Sequence, residues 1–310
     1  INASATLSIA PHLISKYFVS VALLNANSTF LFIESFISKQ QIYNFYLLLR
    51  RFRVTNIIIE KKIESNMGDN ILKIENDPMG QAIYDYFTEG KASQIKVYSS
   101  MFDDDTMSVS ELFKSRKELS EIEKKALMEA KGRNIEVGAG SGRHSLILQE
   151  DGKSVKAIDI SPLSVEVMKK RGVKDAECLN LYDKSALNEK FDTILLLMNG
   201  SGIIGKISNI PNFLNRIKEL LNPGGMILMD SSDLIYLYEN EDGSVDIDLN
   251  SNYYGEVDYQ MEYRGKKGAK FDWLYIDFYT LSMYAEMSGF STDILEKGEH
   301  YDYLAKLTLI

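Results

Sequence analysis

The chain of 310 residues holds a single cysteine, Cys178, so no disulfide can form within it. It holds only three histidines, His12, His144 and His300, and none has the spacing that brings ligands together on a metal ion. Cations are in the minority, 35 Lys and Arg against 44 Asp and Glu. The resulting net charge of −9 argues against a general nucleic-acid binder, whose affinity rests on clustered basic side chains. Long apolar runs are missing too. The nearest to one, residues 17–37, is interrupted by Asn25, Asn27 and Glu34, which are costly groups in mid-bilayer. No small-residue cleavage site follows it as a secretory signal requires. These absences predict a cytoplasmic protein in a reducing compartment, with no structural metal and no membrane span.

Glycine is also missing from one end. Residues 1–66 contain no Gly and no Asp, although the chain has 20 glycines. That stretch carries seven Lys and Arg against three Glu, opposite in sign to the whole chain, and it is rich in Ile, Asn, Phe and Ser. The break in composition predicts a separate leader over 1–66, upstream-derived or disordered, with Met67 as a potential start. From 67 to about 131 the pattern predicts a helical cap. Asp77 reads as an N-cap, Pro78 as the first helical residue and Gly90 as a stop, with a second helix over about 119–131. Asp103 to Asp105 read as a solvated loop, since three consecutive carboxylates cannot converge on one ion.

After Gly132 short apolar runs alternate with helical patterns. The runs are 134–138, 155–160, 176–180, 192–198 and 225–230, a strand-helix-strand rhythm that implies parallel βαβ units covered on both faces. Beyond Ser232 the rhythm stops. Residues about 250–278 read as an inserted β-hairpin, followed by a helix over 281–288 and two final strands.

Residues 134–145, NIEVGAGSGRHS, carry the chemistry. Glycine at 138, 140 and 142 after a strand allows a sharp turn and close backbone approach to a ligand. A phosphate-binding P-loop needs Lys and then Ser or Thr after its last glycine, and Arg143-His144 stands there instead. The dinucleotide fingerprint wants a third glycine at position 143, where Arg stands. An NAD-dependent oxidoreductase is thereby weakened and remains the alternative enzyme class. Asp159 closes the second strand 21 residues after Gly138, where a carboxylate can accept both hydroxyls of a ribose.

Acidic-x-Gly-x-Gly-x-Gly over Glu136 to Gly142, with Asp159, Asn180-Leu181 and the Asn-Pro-Gly-Gly turn at 222–225, resembles class I S-adenosylmethionine-dependent methyltransferases, of the small-molecule branch. The resemblance spans about 132–310. It implies a Rossmann-like doubly wound α/β sheet of seven strands in the order 3-2-1-4-5-7-6, the last antiparallel. It implies S-adenosyl-L-methionine held at Glu136, Gly138, Ala139, Gly140, Gly142, Asp159, Ile160, Asn180, Leu181 and Met198, with Glu136 toward the methionine amine and Asn180-Leu181 around the adenine. Met198-Asn199-Gly200 stands where base-methylating enzymes often carry Asn-Pro-Pro-Tyr, which points away from nucleic acid. A non-catalytic S-adenosylmethionine-binding protein is the further alternative.

Methyl transfer from a sulfonium is an in-line displacement that positioning can largely accelerate. Candidates for a base or an orienting group are Asn199, Asp230, Asp233 and His300. His144 reads as a packed or capping residue. The acceptor, a small molecule, is expected over the fourth and fifth strands beneath an aromatic roof: Tyr253, Tyr254, Tyr259, Tyr263, Trp273 and Tyr275, with Tyr279 and Tyr284 beyond.

Overall fold

A computed structural model of the protein describes residues 71–310 except 241, 243 and 248–251. The expected leader over 1–66 and the apolar stretch 17–37 lie outside the described residues.

Asp77 and Pro78 open helix α1 (Pro78–Glu89), with the Gly80 N–H donating to Asp77 Oδ1 at 2.7 Å. The helix ends at Gly90 in the left-handed conformation, φ 70°. The chain then departs from the helical expectation. Strands β1 (Ile95–Tyr98) and β2 (Asp105–Met107) pair antiparallel, so Asp105 begins a strand instead of ending a loop. Such short runs show no legible period of two, and the other partner of β1 lies far downstream. Helix α2 (Glu121–Glu129) is narrower than predicted and opens on a reciprocal Ser120–Glu123 capping box.

The predicted alternation follows: β3 (Arg133–Val137), α3 (Arg143–Glu150), β4 (Ser154–Asp159), α4 (Pro162–Arg171), β5 (Ala176–Cys178), β6 (Phe191–Leu196), α5 (Ile210–Leu220) and β7 (Leu221–Ser232). Next come the hairpin β8 (Glu256–Tyr263) and β9 (Lys266–Leu274), then α6 (Phe278–Met287), β10 (Phe290–Lys297) and β11 (Asp302–Leu309). Ser161 caps α4 by accepting from the Ser164 N–H at 3.0 Å, with Pro162 in the first turn.

The main sheet runs β5-β4-β3-β6-β7-β11-β10, with β11 antiparallel to both neighbours. Numbered from β3, that is the order 3-2-1-4-5-7-6 of a Rossmann-like methyltransferase fold. Ile210, Phe213, Leu214, Ile217 and Leu220, one face of α5, are fully buried with Phe191 and Ile194 of β6. The hairpin does not join this sheet. It pairs with β1 to give a second, antiparallel sheet β2-β1-β8-β9. Ala82, Ile83, Ile95, Val109 and Tyr263 bury together with Val167 of α4, which seats the cap on the helix that follows β4. Tyr263 therefore belongs to this small core, its hydroxyl donating to Asp85 at 3.0 Å, and not to a pocket roof.

From β3 the chain builds outward through β4 to β5, then returns to build β6 and β7 on the other side. The strand order reverses between β3 and β6, and in open α/β sheets the crevice at that reversal, beyond the carboxyl ends, is the ligand position.

Candidate functional site

The three glycines between β3 and α3 all have positive φ (72°, 55° and 76°), yet each is required by different surroundings. A Cβ on Gly138 would stand 3.1 Å from Ile203 Cδ1, and one on Gly142 would meet Met168 Cγ at 2.8 Å and Val173 Cγ2 at 2.9 Å. These two let the loop fit against its neighbours. A Cβ on Gly140 would meet nothing within 4 Å. The middle glycine keeps a cradle open, and Ala139 beside it is buried.

Asp159, at the end of β4, is half-buried at the rim of this cradle. It accepts from the Gly140 N–H (2.8 Å) and the Ser161 N–H (2.8 Å). Burial pushes its carboxyl up to about 6, although both N–H groups favour the charged form. Each oxygen retains a lone pair for a further donor. Ile160 next to it is 38% exposed, whereas Leu181 is packed into the main core. The apolar surface at this rim is thus Ile160. The Asn180 side chain accepts from the Tyr182 N–H at 2.9 Å and shapes the turn after β5.

Beneath the loop lies a buried ionic cluster that the sequence does not announce. Glu136 Oε1 is 2.9 Å from His144 Nδ1, and its Oε2 accepts from the Ser145 hydroxyl at 2.5 Å. The other ring nitrogen of His144 is 2.9 Å from Glu123 Oε1, which also pairs with Arg143. All four charged or titratable residues are at most 7% exposed. Glu123 is the capping-box glutamate of α2, so one side chain both caps the helix and ties it to the loop. Ser141 and Arg143 further donate to the backbone carbonyls of Leu112 and Glu111. The Arg143 guanidinium thus turns inward to the cap and presents no cation to a phosphate. His144 is the packed residue that was expected; nothing in the sequence singled out Glu123.

On the other wall, the turn after β6 holds Met198 (φ 68°) and Asn199 (φ 55°) in succession in the left-handed region. For non-glycine residues that conformation costs on the order of 1–2 kcal/mol each. Asp230, 9% exposed at the end of β7, accepts from the Asn199 N–H and the Gly200 N–H, both at 3.0 Å. Two residues on, the Ser232 hydroxyl donates to Asn199 Oδ1 at 2.8 Å, and between them Ser231 receives the Ser201 hydroxyl at 2.8 Å. Burial raises the Asp230 carboxyl above its ordinary range, partly offset by the two N–H groups. Asp233 accepts the Tyr254 hydroxyl (2.7 Å) and caps the following 3-10 turn. His300 is exposed in the β10–β11 turn.

The aromatic roof is only partly assembled as predicted. Tyr259 and Tyr275 place their hydroxyls 3.1 Å apart, and Trp273 packs where a side chain on Gly202 would stand. Tyr236 and Tyr301 stack with centroids 5.2 Å apart. Tyr279, in contrast, is 81% exposed. A separate cavity of about 540 Å³ lies beside the hairpin, with Tyr238, Tyr253 and Tyr254 in its wall and Asp272 and Lys206 at its edge.

An open glycine beside a carboxylate, with the Arg143 guanidinium turned inward, suits an uncharged nucleoside end better than a polyphosphate. A family model described as a methyltransferase domain matches residues 135–227. A solved structure of a SAM-dependent methyltransferase from Bacteroides fragilis, in complex with S-adenosyl-L-homocysteine, is 56% identical, covers 77% of this chain and 97% of its own, and has a TM-score of 0.72. The CcbJ methyltransferase from Streptomyces caelestis is 12% identical, covering 61% of this chain and 89% of its own, with a TM-score of 0.48. The sugar N-methyltransferase KedS8 from Streptoalloteichus is 13% identical, covering 68% and 97%, with a TM-score of 0.46. No curated protein matches. Among the described residues no helix is long and apolar enough to cross a membrane.

Proposed function

The chain belongs to the S-adenosylmethionine-dependent methyltransferases, and from that premise we propose that it methylates a small molecule, with the crevice between β3 and β6 as the cofactor site. The observation that carries the location is the open cradle at Gly140 beside the Asp159 carboxylate. In this reading Gly138, Ala139, Gly140 and Gly142 form the floor, Asp159 receives the ribose hydroxyls, and Ile160 covers the adenine with Asn180-Leu181 shaping the turn behind it. Glu136, with its oxygens engaged by His144 and Ser145, braces the loop beneath the methionine end, and Met198 closes the far wall. The nicotinamide alternative ends with the family assignment.

S-adenosylmethionine would supply an electrophilic methyl on a sulfonium, an acceptor lone pair bonding to that carbon in line as the carbon–sulfur bond breaks and S-adenosylhomocysteine leaves as the neutral thioether. The protein's own contribution is placement. Two buried anchors, the Glu136–His144–Glu123–Arg143 cluster and the Asp230 carboxylate, fix the loop and the facing turn, so that reacting groups meet without further ordering. Asp230 has both oxygens engaged by backbone donors and is shielded from the crevice mouth, which does not suit a proton acceptor. A small acceptor is supported by the tyrosine-rich rim. The family's use of S-adenosylmethionine inside cells makes a cytoplasmic location part of the same proposal.

Incubation with methyl-tritiated S-adenosylmethionine and either a metabolite filtrate or the matching macromolecular fraction tests the acceptor class. Label should appear in the filtrate, and label confined to protein or nucleic acid overturns the small-molecule reading.

A further inference from the structure

The last three residues of β7 all reach the turn that leaves β6. Asp230 takes the N–H groups of Asn199 and Gly200, Ser231 takes the Ser201 hydroxyl, and Ser232 donates to the Asn199 side chain. The turn they hold is one that a free chain would avoid, with two successive left-handed residues that are not glycine. It is also the wall opposite the glycine loop, since Ile203, just beyond it, lies within 3.1 Å of a Cβ placed on Gly138. With the ribose at Asp159 on the β4 side, the sulfonium end of the cofactor falls to the β3 and β6 side. The strained turn therefore borders the place of transfer.

We propose that Asp230 is a positioning residue for methyl transfer, holding the Met198-Asn199-Gly200 turn through its two backbone hydrogen bonds so that Asn199 stands at the acceptor side of the crevice. It acts through Asn199 and does not touch the reacting atoms. The inference rests on the cofactor site proposed above. Ser232 has the lesser share of the task, since it orients only the Asn199 amide. Asparagine at 230 offers one acceptor oxygen for two N–H groups and turns a donor toward the other, so Asp230→Asn releases half of the clamp with almost no change in shape.

The test compares two cofactor analogues by calorimetry: S-adenosylhomocysteine, which has nothing at the position of the transferred methyl, and sinefungin, in which a carbon replaces the sulfur and carries an amine at that position. In Asp230→Asn the affinity for S-adenosylhomocysteine should stay within about threefold of the unmodified protein, while that for sinefungin falls tenfold or more. Ser232→Ala, which leaves the backbone clamp in place, should show the same preference at two- to fivefold, and it carries the test if Asp230→Asn does not fold. Met198→Gly combined with Asp230→Asn should recover part of the sinefungin affinity, because glycine adopts the left-handed turn without being held. Equal losses for both analogues, or no loss for either, overturn the positioning role. Failure of the unmodified protein to bind S-adenosylhomocysteine overturns instead the cofactor site on which it rests.

Discussion

Asp77 and Ser161, 84 residues apart, cap two different helices and share one hydrogen bond: the Ser161 hydroxyl donates to Asp77 Oδ2 at 2.5 Å. Ser161 at the same time accepts from Ser164 N at the head of α4, and Asp77 accepts from Gly80 N at the head of α1. Gly80 makes the meeting possible, because a Cβ there would stand 2.1 Å from Asp77 Oδ2. The cap is joined at this point to the helix that starts beside Asp159.

Removing either cap should cost about 1–2 kcal/mol. The two losses should not add, since Asp77→Ala and Ser161→Ala break the same bond, and a coupling of about 1 kcal/mol is expected in a double-mutant cycle by urea unfolding. Additive losses would show that the two helices are capped independently.

The glycines of the loop should separate into two kinds. Gly140→Ala adds a methyl into open space, so the cost to folding is confined to the positive φ, about 1 kcal/mol. Its effect should fall on ligand binding, with S-adenosylhomocysteine affinity reduced at least tenfold. Gly142→Ala drives a methyl into Met168 and Val173 and should lose about 2–4 kcal/mol of stability, from overpacking added to backbone strain. Thermal melting and calorimetry on both variants check the contrast, and similar profiles would sink it.

Asp159 sets a pH dependence whose sign follows from its raised carboxyl. With an ordinary value of 3.8 and about 6 in the fold, the group favours folding most below 3.8, and that contribution is lost as pH rises through 6. Ribose hydroxyls bind the charged form, so protons compete with the cofactor below pH 6. S-adenosylhomocysteine affinity should be roughly tenfold weaker at pH 5 than at pH 8. Asp159→Asn should bind weakly at both, and a wild-type affinity level across that range would refute the ribose role.

Trp273 is the chain's one tryptophan and lies against Gly202, where an added Cβ would be 1.8 Å from its indole carbon. Gly202→Ala must displace that ring, at a cost of about 1–3 kcal/mol. Emission of the single tryptophan should shift to longer wavelength as it moves toward water. An unchanged spectrum with unchanged stability would mean that the hairpin yields without effort.

Much of this molecule was legible in the order of its elements. Short apolar runs alternating with helical patterns, helix punctuation and Glu136 to Gly142 are local signals, and they gave the core strands, the hairpin, the cap at Asp77 and the loop itself, while the seven-stranded order came from the family resemblance. What the chain alone did not show depends on partners far away in sequence. β1 is a strand because β8, far downstream, receives it, and β2 pairs on the other edge of β1, while Glu123 is a cap until tertiary packing brings it to His144 and Arg143. Asp230 looked like a candidate base, and only the fold supplied the two N–H groups that make it an anchor. Local sequence determines which conformations are cheap, whereas the uses of a buried charge and the reason for each glycine are decided by the atoms that long-range packing sets against them.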